Sequence, residues 1–304
     1  MPAVVVNNIV KTYGKKKETT ALHGISFETA PGELFGLIGP DGAGKTSLFR
    51  ILTTLLLADS GTASVNGLEV VKDYKAIRRK VGYMPGRFSL YPDLSVEENL
   101  NFFATIFNTS IEENYDLIRD IYVQIEPFKK RRAGKLSGGM KQKLALSCAL
   151  IHRPDVLFLD EPTTGVDAVS RKEFWEMLKG LKAQGISILV STPYMDEAAL
   201  CDRVALLQNG KILSVNTPAG IVDDFAWPLL AVKATSMLPL LHHIEKFEGA
   251  VNAYPFGEFH HVVMKPGSTA VQLQQFLEHK GHAGLIVKEA KPGIEDCFIA
   301  YMKN

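Results

Sequence analysis

The chain opens on short apolar and alternating runs. Residues 3–7, 9–12, 20–27 and 34–38 read as strands, with turns at Tyr13-Gly14 and Pro31-Gly32. Strands are also predicted over 62–65 and 81–84, with a short polar helix, 73–80, between them. Leu90-Tyr91-Pro92-Asp93-Leu94 breaks the pattern, and Ser95-Val96-Glu97-Glu98 then forms a capping box. The helix it starts carries Val96, Leu100, Phe103, Ile106 and Phe107 at helical spacing, and 111–125 reads as a second amphipathic helix. A further helix runs to Leu150, and 156–159 is a continuous apolar strand. Helix 173–181, strand 186–190 and a short helix, 196–201, follow. Residues 204–208 and 211–215 make a hairpin around Asn209-Gly210. Helices alternating with unbroken apolar strands predict an α/β domain with a mainly parallel sheet.

The pattern changes near residue 225. Strand 229–233, helix 237–246, strands 250–255 and 259–264, helix 268–280 and strand 284–288 give the order β-α-β-β-α-β. That is the ferredoxin-like arrangement, here a small α+β domain closed by a helix over 293–302. Two domains, 1–225 and 226–304, fit a chain of 304 residues.

Composition narrows the class. Hydrophobic residues make up 46%, enough for a sizeable core, and a net charge of +1 gives no global field for nucleic acid or an anionic membrane. No apolar run approaches the ~18 residues needed to span a bilayer. The N-terminus lacks a basic region ahead of an apolar stretch, so no signal peptide is expected. Cys148, Cys201 and Cys297 are odd in number and widely spaced, and read as reduced core-filling thiols of a cytosolic protein. His242-His243 and His260-His261 lack acidic or thiol partners at ligand spacing and read as surface residues. Lys15-Lys16-Lys17 reads as a solvated hairpin tip. Lys129-Lys130-Arg131-Arg132 reads as a solvated patch, with a membrane or partner contact as its alternative.

The chemistry centres on Gly39-Pro40-Asp41-Gly42-Ala43-Gly44-Lys45-Thr46, which fits the P-loop pattern G-x-x-x-x-G-K-[ST]. The glycines let successive N–H groups face a phosphate chain. Lys45 supplies a cation for the β- and γ-phosphates and Thr46 a hydroxyl for Mg²⁺. An apolar strand precedes the loop, and residues 46–52 read as a helix with its N-terminus on the phosphates. Val156-Leu157-Phe158-Leu159 delivers Asp160 and Glu161 to the C-terminal end of a strand, where ligands bind in open α/β sheets. Asp160 suits the Mg²⁺ shell, and Glu161, pointing elsewhere, suits the base for an attacking water. Ser137-Gly138-Gly139 at a helix start is either a second anion nest or an N-cap with a flexible approach. Tyr13 is either a core aromatic or a platform for an adenine ring.

With these motifs in order, the chain resembles the ATP-binding subunits of ABC transporters over roughly residues 1–225. Leu136-Ser137-Gly138-Gly139-Met140 is similar to the signature motif, residues 156–161 to the Walker B strand with its catalytic glutamate, and Thr164-Gly165-Val166-Asp167 to the D-loop. Ala290-Lys291-Pro292-Gly293-Ile294-Glu295-Asp296-Cys297-Phe298 is similar to the close of ATPases serving type-2 export systems. The resemblance implies a P-loop NTPase fold with an N-terminal antiparallel subdomain and a helical insert at about 88–150. It implies ATP and Mg²⁺ as cofactors. Nucleotide is held by Tyr13, Gly39 through Ser47 (Gly39, Pro40, Asp41, Gly42, Ala43, Gly44, Lys45, Thr46, Ser47) and the Ser137, Gly138 and Gly139 of a facing domain. It implies a dimer of nucleotide domains that closes on ATP and opens on hydrolysis, coupled to separate membrane subunits. The chain is then cytoplasmic, peripheral on the inner face of the plasma membrane, with no nucleic acid partner.

Two departures matter. The family usually places Gln where this chain has Gly86, and His where it has Pro193. Neither replacement carries a side-chain donor or acceptor. The expected function is therefore the ATPase subunit of an exporter with an impaired site of its own, facing either a second copy or an unlike domain. The alternative is a regulatory or interaction protein that binds ATP with little turnover. A DNA-repair or ribosome-acting relative is disfavoured by the lack of a long heptad run, a second P-loop or a basic balance.

Overall fold

The computed structural model describes residues 1–14 and 18–302, so the Lys15-Lys16-Lys17 run lies outside the described residues. It divides into two compact units, Met1–Pro218 and Ala219–Asn304.

In the first unit the chain runs β1 (Val4–Tyr13), β2 (Thr19–Thr29), β3 (Leu34–Ile38), α1 (Lys45–Leu52), β4 (Ser60–Val65), β5 (Leu68–Glu69), α2 (Tyr74–Lys80) and β6 (Val81–Met84). Then come α3 (Val96–Ile106), α4 (Tyr115–Tyr122), α5 (Gly138–Leu150), β7 (Val156–Asp160), α6 (Ala168–Ala183), β8 (Ser187–Thr192), α7 (Met195–Ala198), β9 (Arg203–Gln208) and β10 (Lys211–Asn216). Helix α8 (Pro218–Asp223), absent from the sequence expectation, begins at the last residue of this unit and otherwise belongs to the second.

Six strands form the central sheet in the order β10-β9-β3-β8-β7-β6. All are parallel except the edge hairpin β9–β10. Every residue of β3, β7 and β8 is buried, which is why these strands read as unbroken apolar runs rather than alternating ones. Asn209 and Gly210 close the edge hairpin with φ of 47 and 70°, the left-handed pair that a two-residue turn demands. A second, antiparallel sheet has the order β2-β1-β4-β5. The two runs expected at 3–12 are one strand, β1, broken by a bulge at Asn8, whose φ is 50°. Phe49 and Phe158 meet edge to face at 5.8 Å where α1 packs on the central sheet.

Helices α3 to α5 form the insert. The capping box is present: Ser95 Oγ accepts from Glu98 N, and Glu98 Oε2 accepts from Ser95 N. The helix expected over 111–125 is shorter. Only Tyr115–Tyr122 is α-helical, and Asn114, instead of extending it, spends its amide on Thr109 Oγ1 and Ile151 O.

The second unit holds β11 (Leu229–Lys233), α9 (Met237–Ile244), β12 (Ala250–Phe256), β13 (Phe259–Met264), α10 (Ala270–His279), β14 (Ile286–Glu289) and α11 (Ile294–Tyr301). Its sheet is antiparallel in the order β12-β13-β11-β14, the ferredoxin-like arrangement. Leu230, Val232, Val262 and Met264 pack with α9 and α10 residues such as Leu240 and Leu273. Asp296 of α11 accepts from Tyr254 Oη at 2.6 Å and lies 2.6 Å from His261 Nδ1. The expectation that the histidine pairs are surface residues fails for His260 and His261, which are 4% and 7% exposed. They sit on a central strand. His260 Nε2 lies 2.8 Å from Met237 O of α9, and His261 meets α11. Cys148, Cys201 and Cys297 are all free and buried.

Candidate nucleotide site

Strand β3 lies between β8 and β9, and from its end the chain turns through the glycine loop into α1. Gly44 caps that helix with φ of +108°, and a Cβ there would stand 2.5 Å from the Ala21 carbonyl oxygen. Only glycine meets both conditions. The first turn of α1 keeps unpaired N–H groups and the positive end of the helix dipole at this bend, a seat for an anion. Lys45, 3% exposed, donates from Nζ to Gly39 O at 2.7 Å and Pro40 O at 3.0 Å. Tyr13, at the rim and 39% exposed, has its hydroxyl 3.0 Å from Ser47 Oγ. The tyrosine is thus beside the loop rather than in the core. The glycine cradle and buried ammonium fit a chain of phosphates.

Asp160 and Glu161 reach the same end of the sheet from β7. Asp160 is 2% exposed, and its Oδ1 accepts from Ser191 Oγ at 2.7 Å. Glu161 points the other way, its Oε1 3.0 Å from Lys45 Nζ. The Glu161 N–H donates to both Ser191 O and Ser191 Oγ at 3.0 Å. These bonds hold Glu161 at φ of 51°, a left-handed conformation uncommon outside glycine.

Positions 86 and 193 border this group. A Cβ at Gly86 would lie 3.0 Å from Asp160 O and 3.8 Å from Glu161 Cβ, so the residue here faces the carboxylate loop, and with little room. Pro193 directly follows Thr192, the last residue of β8.

Ser137 caps α5, its Oγ accepting from Met140 N at 3.4 Å. A Cβ at Gly138 would lie 3.9 Å from Gly165 O, and one at Gly139 2.8 Å from Ser170 Oγ. The signature residues therefore border the loop that leads into α6, whereas the P-loop glycines border Ala21, Leu22 and Leu207. Asp167 starts α6, accepting from Val169 N and Ser170 N, and the Ser170 bonds hold its carboxyl below the usual range. Gln142 of α5 donates to Pro162 O, joining the signature helix to the residue after Glu161.

A cavity of about 560 Å³ is lined by Gly86, Phe88, Leu90, Phe103, Phe107 and His152 together with Glu161. His152 stacks on Phe107 at 3.7 Å with Nε2 3.1 Å from Val81 O, and burial pushes its pKa down. Burial, with the Asp160 charge behind it, pushes Tyr83, which also lines the cavity, up to about 12.

Sequence reasoning missed Ser191, Thr192, Gln142 and Glu197. A Ser-Thr pair closing an apolar strand that neighbours the Asp160 strand was a usable signal for the first two. Nothing local marked Glu197, which sits in a short polar helix yet is 2% exposed.

Comparisons with known proteins agree with this geometry. A family model described as ABC transporter matches residues 22–164. A probable multidrug ABC transporter ATP-binding protein of Escherichia coli K12, YbhF, is 38% identical over 88% of this chain and 46% of its own length, so the chain spans about half of that relative. The Nod factor export ATP-binding protein I of Rhizobium sp. strain N33 is 33% identical over 98% of this chain and 96% of that protein. Among solved structures, an ATP-binding cassette in a dimeric post-hydrolysis state bound to ADP and Pi has a TM-score of 0.64 at 25% identity. It covers 70% of this chain and 98% of that one. The chain belongs to the ABC transporter family of ATP-binding proteins, which are ATPases with an α/β P-loop fold. No helix among the described residues is long and apolar enough to cross a membrane.

Proposed function

We propose that this chain is the ATP-binding subunit of an exporter, working with separate membrane subunits and a second nucleotide domain. The observation that carries this is the convergence of Lys45, Asp160 and Glu161 at one end of the sheet, with Lys45 Nζ 3.0 Å from Glu161 Oε1. Lys45 and the Gly39–Ser47 loop bind the phosphates, and Tyr13 offers its exposed ring to the adenine. Glu161 takes a proton from the attacking water. Thr46 and Asp160 would hold a Mg²⁺ ion, which would supply charge neutralisation for the phosphoryl group being transferred. Ser137, Gly138 and Gly139 serve the nucleotide of the facing domain; the dimeric cassette among the solved relatives supports pairing of two such domains. Export as the direction draws on the names of the multidrug and Nod factor relatives. The segment 87–91 and the apolar cavity beside it are the proposed contact with the membrane subunits, which would hold the chain on the cytoplasmic face.

Gly86 and Pro193 favour low turnover at this chain's own site and an unlike partner domain that completes the pair. They also keep a second reading open, a regulatory protein that binds ATP and changes shape. Steady-state hydrolysis by the purified chain, beside ATP binding and a Glu161→Gln control, is the test. Binding with almost no Glu161-dependent turnover supports the impaired site. Brisk turnover lost in Glu161→Gln replaces it with a working homodimer. Absence of ATP binding overturns the whole proposal.

A further inference from the structure

One buried carboxylate ties the loop after Glu161 to the end of β8. Glu197, on α7, accepts through Oε2 from Thr192 Oγ1 at 2.5 Å and from Thr163 Oγ1 at 3.1 Å. Its Oε1 lies 3.0 Å from Arg171 Nε and 2.9 Å from Arg171 Nη2. Thr192 immediately precedes Pro193, Thr163 follows Glu161-Pro162, and Arg171 lies in the N-terminal part of α6 beyond Asp167. The Arg171 guanidinium also covers the Tyr194 ring at 4.2 Å and meets Asp196 at 3.2 Å. A carboxylate this buried persists only if both oxygens are partnered, and here both are.

The tie bears on Glu161, whose φ of 51° is held only where the surroundings over-determine it. Besides the Lys45 ion pair and the Thr164 N–H on Glu161 O, three side chains restrain this loop: Ser191 on the Glu161 N–H, Gln142 on Pro162 O, and Glu197 on Thr163. Of these, Glu197 alone joins the carboxylate loop to both β8 and α6 through side chains. With no polar side chain at 86 or 193, the aim of the Glu161 carboxylate rests on the Lys45 ammonium it meets and on the backbone of its own loop. We infer that Glu197 is a positioning residue for hydrolysis: by anchoring Thr163 to the end of β8 it keeps Glu161 in its left-handed conformation. This rests on the ATP-binding proposal above.

The test compares binding of Mg-ADP and of Mg-ADP with aluminium fluoride, an analogue of the transferring phosphoryl group, to the full-length protein and to Glu197→Gln, Thr163→Val and Thr163→Ser. The expected result is unchanged ADP affinity throughout. The preference for the analogue falls on the order of tenfold to a hundredfold in Glu197→Gln and Thr163→Val and is retained in Thr163→Ser, which keeps the hydroxyl. If Glu197→Gln fails to fold, the two Thr163 variants carry the test. Wild-type preference in both Glu197→Gln and Thr163→Val overturns the inference and leaves the ATP proposal standing. So does an equal loss of ADP affinity, which would mark a merely structural tie, or a wild-type protein that binds ADP with no preference for the analogue. A wild-type protein that binds no nucleotide overturns both.

Discussion

The Lys45 ammonium and the Glu161 carboxylate form an ion pair, 3.0 Å apart, at the meeting point of the glycine loop and β7. The lysine side chain is 2% exposed and the glutamate 22%, so the pair sits at the inner wall of the site with its acidic member toward solvent. The group proposed to bind phosphate and the group proposed to accept a proton are therefore in direct contact.

Glu161→Gln keeps the hydrogen-bonding shape and removes the proposed base. Turnover is expected to fall by about 10²–10⁴-fold with nucleotide binding retained. Lys45→Ala strands the Glu161 carboxylate where phosphate must approach, and should abolish binding instead. Equilibrium binding of a fluorescent ATP analogue beside phosphate release separates the two. A Glu161→Gln protein that also stops binding would contradict the division of roles.

Pro193→His restores a polar side chain at the end of β8. Losing one oriented polar group from such a site costs on the order of 10²-fold, so turnover should rise by up to that factor. Gly86→Gln should gain less, because a Cβ there comes within 3.0 Å of Asp160 O and must displace the loop it is meant to serve. An unchanged rate for Pro193→His in an assembled, active complex would show that the missing side chain is not limiting.

His152 titrates against the fold. Burial lowers its pKa below the ordinary value of about 6.5, and the Val81 carbonyl only partly opposes this. A folded pKa below the unfolded one means that the stabilising effect of the neutral ring is present above about pH 6.5. It is lost as pH falls through the folded value. The melting temperature of the wild-type protein should thus drop more steeply between pH 7.5 and 5 than that of His152→Phe. Parallel profiles would rule this out.

Asp296 holds α11 on the sheet of the second unit. It is 1% exposed and serves Tyr254, His261 and the Gly293 N–H. Its carboxylate also helps burial push the Tyr254 pKa up. Asp296→Ala should cost about 1–3 kcal/mol for each buried partner left unsatisfied. The loss should be read as faster hydrogen exchange in 250–264 and 294–301, with exchange in β3 and β7 unaltered.

Much of the fold was legible because its signals are local. The buried strands β3, β7 and β8 are unbroken apolar runs, Asn209-Gly210 is a turn in itself, and Ser95 with Glu98 caps a helix within one turn. The ferredoxin-like order of the second unit followed from counting periods. The helix expected over 111–125 starts later than its apolar spacing, which begins at Ile111, because Asn114 takes Ile151 O as a partner, a contact with a distant segment. His260 and His261 looked like surface residues because a sequence shows one strand, not the α9 and α11 residues that bury its two histidines.

The sequence by itself determined the glycine loop, the Asp160-Glu161 pair at a strand end and the family resemblance, since each is written in adjacent residues whose chemistry does not wait for packing. Only the tertiary structure decided that Glu161 lies on Lys45, that Ser191 orients Asp160, and that Glu197 is buried among Thr163, Arg171 and Thr192. These contacts join segments far apart in the chain. Whether a charged side chain ends in water or in a pocket of partners depends on strand order and helix packing, which local pattern does not encode.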